Sequence, residues 1–569
     1  MEIRQYEFGE VRMRATVEQN PFDVSFTAQV DGPEGCTRVT GFFDGEDTFA
    51  FRFLPLAPGD YRYTTRSPVP ELDGKTGTFH CVPAREGRHG PVRVRDRYWF
   101  AYADGTPYFE VGTTCYAWIH QSPALQQQTL DTLAQGYFNK IRMCVFPKWF
   151  DYNHREPELY PFAGNPKNGF DYDQPNIAFF RHLEEAVGKL EALGIQADMI
   201  LFHPYEADHW RFNYMTEEQD RRYLRYVIAR LSAYSNVWWS LANEYDLIKT
   251  GYKQKLSAWK TLLRFVRSQD PYGHLTSIHQ FSRMYDHRDP NITHCSIQRT
   301  ETYLTAEYTD TWRRTFGKPV VVDECAYEGN LNALWGGITA RELVRRFWEA
   351  TARGGYMGHG ETYQGENIWW SHGGTLQGES PARIRFLRQV MERCPDIRLT
   401  CESGPGQLPR ALAGAEVQLV YFGVNQPVTY LLQPLGSGPY KVEVLDTWNM
   451  TVEELPRPVQ GPTEIALPGK PYLALLCTAL QPGAAQPFTR DSTFEQMQLT
   501  LGGRRLLKLL RVLLRQNYAG IQTMTLHQVS AFAGGFLDGR AGDGILRIVN
   551  KNEFWRGLWQ LMTGLMLRR

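Results

Sequence analysis

Two glutamates carry the first chemical argument. Asn243-Glu244 ends the apolar run Val237-Trp238-Trp239-Ser240-Leu241-Ala242, and Asp323-Glu324 ends the run Pro319-Val320-Val321-Val322. Short, strongly apolar runs read as buried strands, so each glutamate stands at a strand's carboxyl end. Two carboxylates facing one another across a cleft are what glycoside hydrolysis requires, one to protonate the leaving oxygen and one to attack the anomeric carbon or activate water. Asp246 and Asp323 are the rival carboxylates. Side chains alternate along a strand, so Asp323 is expected to face away from Glu324, toward flanking helices and a buried partner.

Such a pair needs a frame that brings two distant strands to one mouth. From about Arg95 the chain alternates strand and helix, with eight predicted strands at 108–116, 138–146, 195–203, 237–244, 275–280, 292–298, 319–325 and 354–363. Eight parallel strands with helical crossovers close a (β/α)8 TIM barrel, whose working residues lie at the carboxyl ends of strands and in the loops after them. Glu244 ends the fourth strand and Glu324 the seventh. Helix punctuation supports the count: Ser122-Pro123 before one helix and Gly136 after it, Asn176 before a stripe of Phe179, Phe180, Leu183, Val187 and Leu190 with Gly194 after it, and a capping box at Thr216 and Gln219. Only residues 281–291 separate strands five and six, too few for a regular crossover helix.

The same rule selects further mouth residues. Arg142 ends strand two, and His203, His279 and His359 end strands three, five and eight. Each histidine either hydrogen-bonds a sugar hydroxyl or is a core ring satisfied by backbone. Trp118, Trp149, Trp369 and Trp370 lie in loops after strands one, two and eight, where an aromatic face stacks on a sugar ring. Neighbours in an extended segment point opposite ways, so one of Trp369 and Trp370 is expected in the core and one at the sugar. The stretch from Pro147 to Pro175 is long for a strand-to-helix loop and is expected to shape the pocket.

The flanks are of other kinds. Residues 1–92 carry short alternating runs between Gly, Pro and Asp turns, which predicts a β-sandwich before the barrel at 93–405; residues 406–482 return to short strands, predicting a second sandwich packed on the barrel. Residues 483–569 predict a helical extension, with a capping box at Ser492 and Glu495 and the Leu/Arg run LGGRRLLKLLRVLLRQNY. From Asp491 onward eleven Lys and Arg face five Asp and Glu. That segment is either a helical cap docking its Leu face or an association surface, through which a homo-oligomer would form.

Over 569 residues, Lys plus Arg and Asp plus Glu both number 62, which argues against a nucleic-acid partner. No segment sustains the roughly 18 apolar residues of a membrane span, and the first twenty residues lack the apolar run of a secretory leader. Nine cysteines are spread singly with no CxxC, which fits reduced thiols in a cytoplasmic protein. Aromatics make up 13% of the chain, enough for a packed core and for sugar-stacking platforms.

Asn243-Glu244 on strand four and Glu324 on strand seven resemble the pattern of the retaining (β/α)8 glycoside hydrolases of the largest glycosidase clan. More narrowly, RYWFAYADGTPYFEVGTTCYAWIH (97–120), LFHPY (201–205) and GGYMGHGETYQGENIWW (354–370) are similar to segments of apiosidase-like bacterial glycosidases, whose members also carry an immunoglobulin-like sandwich before the barrel and a small β-domain after it. The resemblance covers about residues 1–480. It implies Glu244 as acid/base and Glu324 as nucleophile, Arg142 beneath the nucleophile, where a cation would keep the carboxylate ionised, and Asn243, Tyr116 and Glu361 among the substrate-binding residues. An Arg142 paired structurally with Asp or Glu is the plainer reading. Related barrels work without metal and no HExxH or HxH cluster exists, so neither metal nor cofactor is expected.

The leading expectation is a cytoplasmic retaining, exo-acting glycosidase taking small glycosides or oligosaccharides. The rivals are a non-catalytic carbohydrate-binding or scaffold protein, and a transglycosylase using the same residues.

Overall fold

The computed structural model describes residues 2–301, 304–404, 407–434, 436, 438–480, 490, 493–497, 505–508, 524–532, 540–551 and 554–566. Contacts divide the chain into two units, the first holding residues 1–393 with 447–449 and the second the remainder.

In the first unit the amino-terminal strands form two sheets. A five-stranded sheet runs in the order Glu2–Arg4, Thr76–Val82, Gly59–Arg66, Thr27–Gly32, Gly35–Thr40, and a three-stranded sheet joins Gly9–Arg14, Thr48–Phe53 and Phe42–Phe43. Alternation sends Phe49, Phe51, Phe53, Tyr61 and Phe79 into one core between them. This sandwich is fastened to the barrel helices by polar contacts: Arg52 donates to the Glu184 carboxylate at 2.7 Å, and the Leu54 amide donates to the Tyr272 hydroxyl at 2.8 Å.

All eight expected barrel strands form. They are β1 (Gly112–Thr114), β2 (Lys140–Cys144), β3 (Gln196–Phe202), β4 (Val237–Ala242), β5 (Thr276–Ser277), β6 (Cys295–Gln298), β7 (Val320–Glu324) and β8 (Tyr356–His359). Their order is β5-β4-β3-β2-β1-β8-β7-β6, every ladder parallel. The seam between β5 and β6 is tied by the Thr293 amide donating to the Thr276 carbonyl at 2.9 Å. Strands β2, β3 and β4 are buried at every residue, as a sheet enclosed on both faces must be. A small antiparallel sheet, Val92–Arg95, Trp99–Tyr102 and Pro107–Tyr108, lies against the barrel's amino end, where Phe100 packs on Trp238 and Tyr356.

The three punctuated helices are present: Pro123–Leu133 capped by Ser122, Ile177–Ala192 capped by Asn176, and Glu217–Leu231 with the reciprocal Thr216–Gln219 box. Residues 278–294 hold no helix, as their length implied. One alternation argument fails. The β6–β7 ladder shifts register between Ser296 and Gln298, so β7 carries an extra residue. Asp323 therefore faces the barrel interior rather than the helices, accepting from Lys140 Nζ at 2.9 Å and Ser296 Oγ at 2.5 Å.

The second unit contains a six-stranded sheet, in the order Thr400–Cys401, Arg410–Ala413, Val417–Tyr421, Leu473–Ala479, Tyr440–Asp446, Thr451–Glu454, and the hairpin-like pair Thr429–Leu432 and Thr463–Ala466. Val420, Leu432, Val442, Ile465 and Leu475 share its core. The carboxy-terminal part contains helices Phe494–Met497, Leu526–Phe532, Arg540–Lys551 and Phe554–Met566, with a core of Leu506, Leu526, Ile545, Ile548 and Leu561. Ser492 of the expected capping box and most of the Leu/Arg run lie outside the described residues.

Candidate active site

Glu244 follows β4 in a left-handed conformation, φ 46° and ψ 52°. A non-glycine residue held there is strained by about 1–3 kcal/mol and is a feature of constrained sites. Glu324 is the last residue of β7, carried past the register shift. The two carboxyls come close enough for the charge of one to act on the other, and both are nearly closed off from solvent, 3% and 7% exposed.

Their surroundings differ. The Tyr116 hydroxyl, just past β1, donates to Glu324 Oε1, while His279 Nε2 lies 3.8 Å from the same oxygen. Arg142 sits fully buried below: it donates to Asn243 Oδ1 at 2.8 Å and approaches Asp323 and Asp198 at 3.5 and 3.6 Å. Burial pulls its basicity down, but the two aspartates more than reverse this, so it is a permanent cation. Glu324 is raised above the ordinary carboxyl range because burial outweighs the Tyr116 hydrogen bond and the charges of Arg142 and Lys148. That departs from the low value expected beside an arginine. Glu244 is pushed up to about 8, by burial first and then by the charge of Glu324. Its Oε2 has no hydrogen-bond partner. Tyr116 and Arg142 favour charge on Glu324, whereas Lys148 favours charge on both carboxyls.

A cation the sequence reading missed completes the site. Lys148, four residues past β2, is 1% exposed, its ammonium over the rings of Tyr116 at 3.6 Å, Tyr205 at 4.0 Å, Phe150 at 4.3 Å and Trp370 at 5.1 Å. No carboxylate among the described residues lies within 4.0 Å of it, and burial pulls its pKa down to about 8. The strand-end rule that selected Arg142 reaches this position too. The loop from Pro147 to Pro175 thus contributes Lys148, Phe150 and Tyr152 to an aromatic cluster with Trp370, Tyr327 and Trp335.

The structure brings Glu244, Glu324, Tyr116, Asn243, Arg142, His279 and Trp370 together and leaves the other candidates elsewhere. His203 is held by backbone, its Nε2 3.2 Å from the Phe146 carbonyl and its Nδ1 accepting from the Tyr205 amide. Trp118 is a core ring whose Nε1–H points at Met143 Sδ, 3.3 Å away. Trp149 stacks on His209 at 3.7 Å. Trp369 donates to Thr113 Oγ1 at 2.8 Å, and His359 meets the same hydroxyl through Nδ1. Thr113 precedes Thr114, the β1 partner of inward-facing Arg142, so this group lies on the outer side of the wall. Trp369 and Trp370 do part, though from a short helix, Trp369–His372, rather than an extended segment. Glu361 accepts from the amides of Gln377 and Gly378. Of the rival carboxylates, Asp246 fastens a loop by accepting from the amides of Phe281, Ser282 and Arg283.

Among the described residues no helix is long and apolar enough to cross a membrane.

Comparison with known proteins gives the chain a family. The profile of the apiosidase-like catalytic domain matches residues 94–392, and profiles of two domains of unknown function, DUF5060 and DUF5605, match 2–68 and 407–478. A solved structure from Bacteroides vulgatus ATCC 8482, described as "a putative glycoside hydrolase", is 36% identical with a TM-score of 0.79, covering 84% of this chain and 100% of that one. A glycoside hydrolase family 5 structure from the same strain, 14% identical with a TM-score of 0.54 over 70% of this chain and 96% of that one, shares the fold. No curated protein matches. With the catalytic profile spanning more than half its length and a 36% identical relative covered end to end, the chain belongs to the apiosidase-like family.

Proposed function

We propose that this glycoside hydrolase acts by retaining double displacement, Glu324 attacking the anomeric carbon and Glu244 serving first as acid and then as base. The observation that carries the reading is the asymmetry around the pair: Tyr116 and Arg142 favour a charged Glu324, whereas Glu244 is pushed up to about 8 with one oxygen free of partners. A nucleophile must be ionised and an acid must hold its proton at working pH. Retention also requires the carboxyl groups about 5–5.5 Å apart, leaving no room for the intervening water of an inverting enzyme. The low exposure of both glutamates and the aromatic surround favour exo action on a short glycoside, and the family's description places apiosides on the substrate panel beside other furanosides and pyranosides.

Azide tests the division of labour. Glu324→Ala should abolish turnover of every substrate, because no glycosyl-enzyme forms. Glu244→Ala should still be glycosylated by aryl glycosides with good leaving groups, then stall until azide restores turnover and yields a glycosyl azide of the substrate's own configuration. An inverted glycosyl azide from Glu324→Ala would agree with these roles, since one displacement inverts; retained product from Glu324→Ala with inverted product from Glu244→Ala would exchange them. Full turnover by both variants would show that these are not the catalytic pair, whereas binding of glycosides without turnover by the wild-type chain would leave the carbohydrate-binding reading. An added acceptor alcohol separates hydrolysis from transglycosylation by its products.

A further inference from the structure

A second cluster of ionisable groups lies on the outer side of the wall and takes no part in the chemistry above. Glu328 follows β7, His359 ends β8 and Glu361 follows it; all three are buried, and one ligand atom from each falls within 4.8 Å of the others. Both carboxylates point at the start of the helix Ser380–Glu392. Glu361 accepts from the amides of Gln377 and Gly378 at 2.8 and 3.0 Å, and Glu328 from those of Glu379 and Ser380 at 2.8 and 3.0 Å. A Cβ at Gly378 would sit 2.5 Å from the Glu328 carboxyl carbon and 2.6 Å from Glu361 Oε1, so only glycine lets the chain close on both acids.

Four amides and one hydroxyl, that of Tyr363, do not balance two buried carboxylates. No Lys or Arg among the described residues pairs with either acid. The cluster also contains an independent sign of a missing partner. His359 Nε2 is fully buried with no hydrogen-bond partner, 3.8 Å from Glu361 Oε1. Its other nitrogen is 2.8 Å from Thr113 Oγ1, which also receives the Trp369 N–H. With Nδ1–H donating to that oxygen, the Nε2 lone pair faces the carboxylates. Metal-bound histidines are oriented in this manner, the second ring nitrogen donating to a fixed acceptor.

We propose that Glu328, His359 and Glu361 bind a divalent cation of the Zn2+ type, a structural ion that locks the segments after β7 and β8 to the helix at 380–392. One imidazole and two carboxylates suit Zn2+, whereas Mg2+ and Ca2+ take oxygen ligands. The ion supplies the two positive charges that the surrounding protein lacks.

The full chain, purified without metal-affinity resin and stripped by dialysis against a chelator, should bind one Zn2+ per molecule in calorimetric titration. Zn2+ should raise its Tm, and chelation of the loaded protein should lower it. Glu361→Gln and His359→Gln should each weaken Zn2+ binding by about a hundredfold or more, beyond the tenfold to hundredfold that losing an outer-shell partner costs. Anomalous diffraction at the zinc edge should place one peak among the three side chains, which decides the matter even if a variant fails to fold. Absence of saturable binding by the wild-type chain, or undiminished affinity in Glu361→Gln, would overturn the site; the carboxyls would then be sharing a proton.

Discussion

Asp323 and Glu324, adjacent at the end of β7, both turn into the barrel. The extra residue in β7 cancels the alternation between them, so Asp323 joins Lys140 and Arg142 beneath the mouth while Glu324 meets Tyr116 above them. Burial raises Glu324 above the ordinary carboxyl range, and the charge of Asp323 adds to this against Tyr116, Arg142 and Lys148.

Tyr116→Phe deletes the hydroxyl that donates to Glu324. Hydrogen bonds to charged groups contribute about 1.5–3 kcal/mol, so kcat/KM should fall about tenfold to a hundredfold. The acidic limb of the pH profile should also move up, since Glu324 loses a group that favours its ionised form. A variant with unchanged kcat/KM at every pH would remove Tyr116 from the mechanism.

Lys148→Met should shift both limbs of the kcat/KM profile to higher pH. The ammonium lowers the pKa of Glu324 and of Glu244 alike, so removing it makes both carboxyls hold protons longer. Activity requires Glu324 ionised and Glu244 protonated; the acid side therefore loses activity and the alkaline side gains it. A profile that kept its position would show that Lys148 does not act on the pair.

Asp270 governs acid stability at the barrel's base. Burial pushes its carboxyl up, but His274 and the amides of Tyr272 and His274 outweigh this and hold it at about 2. The folded pKa is depressed, so its stabilisation is present above the unfolded value of about 3.9 and is lost as pH falls toward 2. Asp270→Asn should cost about 2–3 kcal/mol at pH 7 and flatten denaturation curves between pH 5 and 2. Equal slopes for both proteins in that window would refute the assignment.

Removing residues 491–569 should alter solubility or oligomeric state more than turnover of small glycosides. The helix Phe554–Met566 leaves Trp559 72% and Met562 45% exposed, an apolar face suited to association. Light scattering with parallel kinetics decides it: an unchanged assembly with lost activity would assign the tail to the active site instead.

The eight strands, their order and the two strand-end glutamates were legible in the sequence because buried parallel strands are short apolar runs and the barrel rule points to their carboxyl ends. Capping residues such as Ser122, Asn176 and Thr216 placed three helices for the same reason: local hydrogen bonding decides where a helix begins. Which side chains meet was another matter. His203, His279 and His359 are equivalent as strand-end histidines, yet one is held by backbone, one lies beside Glu324 and one faces the helices. Facing depends on register, and the register shift in β7 that redirects Asp323 leaves no mark in composition. Lys148 is an ordinary lysine in a long loop until Tyr116, Phe150, Tyr205 and Trp370, from four separate segments, close around it. Burial and the company of distant charges set proton affinities, and both exist only once the barrel has closed.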